Sequence, residues 1–92
     1  MLKTVRKLVD QALSNPAVPP VVIGNHSFQS YGDIWFFHYH RSPVCIVRPH
    51  EGTYSLSDCG WNTPSTNRTL RSYSEALDKL YRRVEREGHY PR

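Results

Sequence analysis

Ninety-two residues with two Trp, six Tyr and three Phe describe one small ordered domain. A chain of this size buries about 60–65% of its extended surface, and each buried aromatic removes roughly 150–250 Å² from water. A net charge of +4 and a pI near 9.3 favour anionic partners: nucleotides, nucleic acid or acidic protein surfaces. No apolar run approaches the roughly 18–20 residues of a membrane span, and the basic N-terminus lacks the apolar core of a signal peptide. The expectation is therefore a cytoplasmic protein without membrane contact, cofactor or metal.

Residues 2–14 predict an amphipathic helix, with Val5, Leu8, Val9, Ala12 and Leu13 at helical spacing and Lys3, Arg6, Lys7 and Asp10 between them. Ser14-Asn15-Pro16 ends it, and Pro16, Pro19 and Pro20 make a stiff connector. The centre of the chain is β. Val21–Ile23, Ser27–Tyr31, Ile34–His40, Val44–Val47 and Thr53–Ser57 are short runs separated by Gly24-Asn25, Gly32-Asp33, Arg41-Ser42-Pro43 and Pro49–Gly52. In the third run Ile34, Phe36, His38 and His40 alternate with Trp35, Phe37 and Tyr39, and neither face is plainly polar. Both faces are therefore expected to be partly covered.

Thr63-Pro64 is a helix start, threonine as N-cap and proline at the first helical position. Ser72 and Glu75 form a second capping-box signature, so 64–71 and 73–87 read either as two helices or as one bent helix. Leu70, Tyr73, Leu77, Leu80, Tyr81 and Val84 carry the apolar stripe, Gly88 is the stop, and His89 to Arg92 is a tail. The predicted fold class is α+β: an N-terminal helix, an antiparallel meander of three to five strands, and a C-terminal helix packed on the sheet. Trp61, beside Gly60 at the sheet-to-helix corner, is expected to be buried and structural.

The segment Cys59-Gly60-Trp61-Asn62-Thr63-Pro64-Ser65-Thr66-Asn67-Arg68-Thr69-Leu70 resembles a motif of small bacteriophage-encoded proteins, Gly-Gly-Trp-x-Thr-x-Thr-Thr-x-x-Arg. Gly60, Trp61, Thr63 and Thr66 match it. Cys59 replaces the first glycine, Ser65 replaces the first threonine of the pair, and Arg68 sits one place early. That family has no established activity. The resemblance implies a phage origin, hence the host cytoplasm, and a role directed at host machinery or host defence.

Five residues make the main candidate site. A helix N-terminus presents unpaired N–H groups and the positive end of the helix dipole. Thr63, Ser65 and Thr66 add hydroxyls there and Arg68 and Arg71 add charge, the combination that phosphate binding uses. The bland alternative is a plain cap. His38 and His40 fall on one strand face with metal-pair spacing, His26 or His50 completing a set, but sheet-lining histidines are commoner. The same histidines suit acid–base work on a phosphodiester, with Arg68 or Arg71 holding the phosphate. Tyr31, Trp35, Phe37 and Tyr39 are either core or a stacking platform for bases. Cys45, in an apolar run, reads as an inert core thiol, and Cys59 as the more exposed and reactive one.

The remaining cations, Lys79, Arg82, Arg83 and Arg86, are diluted by Glu75, Asp78, Glu85 and Glu87, which marks a solvated helix face. The leading functional expectation is a non-catalytic binding module for a nucleotide or nucleic acid. Its alternatives are a protein–protein inhibitor of a host factor and a small histidine-dependent phosphodiesterase. A domain with aromatic strands also suits self-association.

Overall fold

The computed structural model describes residues 2–15 and 20–84. The order is α1 (Lys3–Ser14), β1 (Val21–Ile23), β2 (His26–Tyr31), β3 (Ile34–Tyr39), β4 (Ser42–Arg48), β5 (Thr53–Leu56), α2 (Pro64–Leu77) and β6 (Arg82–Arg83). The α+β class, with an N-terminal helix, a mostly antiparallel sheet and a C-terminal helix, is as the sequence predicts, but the sheet of the described residues has six strands, not three to five. Of the connector, Pro16 and Pro19 lie outside the described residues, as do Glu85 to Glu87, Gly88 and the tail.

Strands β1 to β5 form an antiparallel meander in sequence order, because each connection is a tight turn. Gly24, Gly32 and Gly52 take positive φ in three of the four turns. The fourth is different. Tyr39 pairs with Ser42, so His40 and Arg41 alone make the turn, at φ 51° and 70°. Two left-handed residues fit the twist of a two-residue hairpin, a place where Asn-Gly is usual. A residue with a side chain costs about 1–2 kcal/mol there.

Alternation sorts the sheet into two faces. Phe28, Trp35, Phe37, Cys45, Val47 and Tyr54 lie on one face and join Val5, Leu8, Val9 and Ala12 of α1 and Tyr73 and Leu77 of α2 in a single core. Both helices therefore cover the same face. Phe37 sits at the centre, its ring 5.1 Å from Phe28 and 5.0 Å from Tyr73. Burial pushes the Cys45 thiol and the Tyr73 hydroxyl far up, which makes Cys45 inert, as its apolar strand implies. Leu13, read as part of the α1 stripe, is 41% exposed instead.

The C-terminal half departs from the helical reading. α2 is one helix and stops at Leu77, with Asp78 as its C-cap. Ser72 is not a cap. It is buried in mid-helix, its hydroxyl donating to Arg68 O (3.0 Å) and accepting the Leu2 N–H that starts α1 (3.0 Å). Beyond Leu77 the chain turns and adds β6 in parallel beside β5, with Arg82 N–H bonded to Gly52 O (2.8 Å) and Val84 N–H to Tyr54 O (2.9 Å). The Tyr54 hydroxyl donates to the Asp78 carboxylate, which also accepts from Ser74 Oγ (3.0 Å), and this fastens the turn. Tertiary bonds to an open strand edge thus override the helical spacing of Leu77, Tyr81 and Val84. A parallel neighbour needs a crossover, and α2 is that crossover.

Candidate functional site

The site begins at the Ser57–Trp61 corner. Ser57 Oγ accepts the Cys59 N–H (3.0 Å), Asp58 Oδ1 accepts the Gly60 N–H (2.9 Å), and Asp58 O accepts the Trp61 N–H (2.8 Å). Cys59 and Gly60 take φ 54° and 87°, a left-handed pair that glycine adopts freely and cysteine does not. The Cys59 thiol is half-buried and donates to Pro43 O (3.3 Å). This turn swings Trp61 outward. The indole is 63% exposed, so the expectation of a buried, structural Trp61 is overturned. Trp35, Phe37, Tyr54 and Tyr73 close the core in its place.

Thr63 is the N-cap of α2, as its sequence context predicts. Its Oγ1 accepts the Thr66 N–H (3.2 Å) and donates to Thr66 Oγ1 (2.9 Å). Pro64 has no N–H, and the Asn67 N–H is bonded to Thr63 O (2.9 Å). The helix start therefore leaves the Ser65 N–H as its donor. The dipole end is real, but most of the hydrogen-bonding capacity expected there is used internally.

A groove of about 300 Å³ lies against this helix start. Trp61, Thr63, Ser65 and Thr66 form one wall, and Tyr39, His40, Ser42 and Val44, from the β3–β4 hairpin, form the other. Three of the five predicted residues thus meet at one concavity. Arg68 and Arg71 are exposed and are not among its lining residues. Arg68 stands one turn beyond Ser65, and Arg71 a further turn away. Sequence reasoning named Tyr39 for a stacking platform, His40 for a metal or acid–base set and Ser42 for a turn, and did not join them to this corner, because nothing local brings residues 39–42 next to residues 61–66. The available signal was the His40-Arg41 pair in a two-residue turn.

His38 and His40 do not share the strand face on which alternation places them. β3 ends at Tyr39, and the left-handed turn carries His40 to the groove, while His38 stays within β3 on the face away from the helices. His50 pairs with Asp33 (3.0 Å), both exposed, in neighbouring turns. Among the described residues no three His, Cys, Asp or Glu are placed to hold a metal. Nor do the four aromatics named as a platform act together. Trp35 and Phe37 are buried under the helices, and Tyr31 and Tyr39 point to opposite faces.

His26 supports the groove from behind, its ring stacked on Tyr39 at 4.8 Å. Its Nδ1 is buried without a partner. Burial, and after it the charge of nearby His40, holds its pKa below 6.5; burial also lowers His38. The fold thus favours neutral imidazole. Below pH 6.5 the unfolded chain takes up a proton that the folded chain refuses. This contribution to stability is complete above 6.5, declines as pH falls below it, and levels off once the folded pKa is passed. Melting temperature is expected to drop as pH falls below about 6.5, and His26→Phe, which keeps the stacking, should flatten part of that drop. An unaltered pH profile in the variant refutes the assignment.

No helix among the described residues is long and apolar enough to cross a membrane. The chain is a two-layer α+β domain with an aromatic-walled groove at the sheet end. Comparison with family models, curated proteins and solved structures finds no match for it.

Proposed function

We propose that this chain is a non-catalytic binding module that takes an anionic, ring-bearing ligand, a nucleotide or a nucleic-acid terminus, in the Trp61 groove. The observation that carries this reading is the exposed indole of Trp61 facing the Tyr39–His40 hairpin across a concave space. Large exposed aromatics at a concavity are a mark of binding surfaces. A base stacks on the indole, Ser42 and Ser65 offer hydroxyls, and the Ser65 N–H with the dipole of α2 serves the phosphate, with Arg68 one turn outside the groove lining adding positive charge. The strain held at His40 and Arg41 supports the same place, since left-handed residues with side chains gather at functional sites. The positive balance of the chain suits such a ligand, and the phage-type motif, which contains Trp61, supports a host-directed role.

The test is calorimetric titration with nucleoside monophosphates and diphosphates. Trp61→Ala should leave the melting temperature within a degree or two of wild type, because the ring is solvated. It should weaken binding by about 1–3 kcal/mol, the usual worth of a base on an aromatic ring. Equal binding by wild type and variant refutes the groove.

A second reading, protein–protein inhibition, is favoured by the cleft of about 210 Å³ between α1 and α2, where Leu13 (41% exposed) and Leu80 (55% exposed) lie. Salt separates the two, since phosphate contacts weaken steeply with it and an apolar contact does not.

A further inference from the structure

The face of the sheet opposite the helices has no described element over it, and its side chains are not those of an ordinary solvated face. Paired residues across a sheet share a face, so Ser27, Gln29 and Tyr31 of β2 stand with Ile34, Phe36 and His38 of β3. Ile46 and Arg48 of β4, Thr53 and Ser55 of β5 and Arg82 of β6 continue that face, on which Ile46 and Thr53 are buried, Ile34, Phe36 and His38 half-buried, and Tyr31, Arg48 and Arg82 exposed. Ile34, Phe36 and Ile46 take no part in the helix-side core. Phe36 is central. It lies opposite Gln29 on one side and Ile46 on the other, with Tyr31 set edge-on to it at 5.3 Å and His38 tilted at 6.3 Å. Tyr31 is 56% exposed.

The charges on this face have one sign. Arg48, Thr53 and Arg82 are aligned across β4, β5 and β6, and both arginines are exposed. None of the paired residues on the face is acidic. An aromatic centre with uniform positive charge to one side is complementary to a chain of bases joined by phosphates. A duplex hides its base faces and offers nothing for the rings to stack on.

We propose that this open sheet face binds single-stranded nucleic acid, its bases stacked on Phe36 and Tyr31 and its phosphates paired with Arg48 and Arg82. This surface is separate from the Trp61 groove and the inference stands without it. Stacking is sequence-tolerant because every base has a π-face, and Gln29, Ser27 and Ser55 supply hydrogen bonds around the rings.

The experiment is fluorescence anisotropy of a labelled ten-nucleotide oligothymidylate with the full chain, at several salt concentrations. Salt-dependent binding is expected, with a duplex of equal length competing poorly. Phe36→Ala and, separately, Tyr31→Ala should each weaken it by about ten-fold, within the range of one stacked base. Tyr31 is exposed enough that its variant folds even if the Phe36 variant does not. Arg48→Gln with Arg82→Gln should shrink the slope of log K against log salt by about 1.4, two phosphate contacts on a single strand. The inference is overturned if the wild type does not bind the oligonucleotide, if the Tyr31 and arginine variants bind it as wild type does, or if the duplex competes equally. Loss of binding in Trp61→Ala alone assigns it to the groove and overturns the sheet face. Sedimentation showing that the face pairs two copies, with no oligonucleotide bound, overturns it as well.

Discussion

Phe37→Ala is expected to destabilise the domain by about 3–5 kcal/mol, enough to leave little folded protein. Phe37 is fully buried where the meander meets both helices, against Phe28 and Tyr73 and opposite Cys45. Removing the ring forfeits its transfer free energy and leaves a cavity among neighbours held by strand pairing, which cannot collapse to fill it. Phe37→Leu keeps most of the volume and should cost about 1–1.5 kcal/mol. Urea unfolding followed by circular dichroism measures both. A loss under 1 kcal/mol in the alanine variant shows that the sheet does not rely on this ring.

Tyr54→Phe should cost about 1.5–3 kcal/mol, the worth of a hydrogen bond to a charged group. The Tyr54 ring belongs to the core while its hydroxyl reaches the Asp78 carboxylate and lies 3.3 Å from Ser74 Oγ. Burial, and then the bond to Asp78, raises its pKa, so the proton stays on the tyrosine. The lost bond is the one that fastens the end of α2 to β5. Amide exchange at Arg82 and Val84, whose N–H groups bond to Gly52 and Tyr54, should therefore quicken more than exchange at Phe37. Uniform acceleration at all sites, or none, refutes a local role.

Much of the architecture is legible in residue order. Hydrophobic period locates α1 and the five strands of the meander to within two residues, because a tight turn between short runs leaves antiparallel pairing as the close-packed answer. Thr63-Pro64 states the start of α2 in a local code, and the structure uses it: the threonine hydroxyl caps the Thr66 N–H. Three residues of the proposed anion corner reach one concavity because that corner is itself local.

The rest depends on contacts far apart in the chain. Leu77, Tyr81 and Val84 keep helical spacing, yet the open edge of β5 and the Tyr54–Asp78 bond draw residues 78–84 into a turn and a strand. Spacing records which side chains are apolar, not which backbone groups lack partners. Trp61 has the composition of a core residue, and only the left-handed turn at Cys59 and Gly60 sends it to solvent. Alternation in β3 separates Trp35 and Phe37 from Phe36 and His38, but both sets are aromatic. Which set becomes core and which an open surface was decided by the side on which α1 and α2 pack, a choice that resides in no single segment.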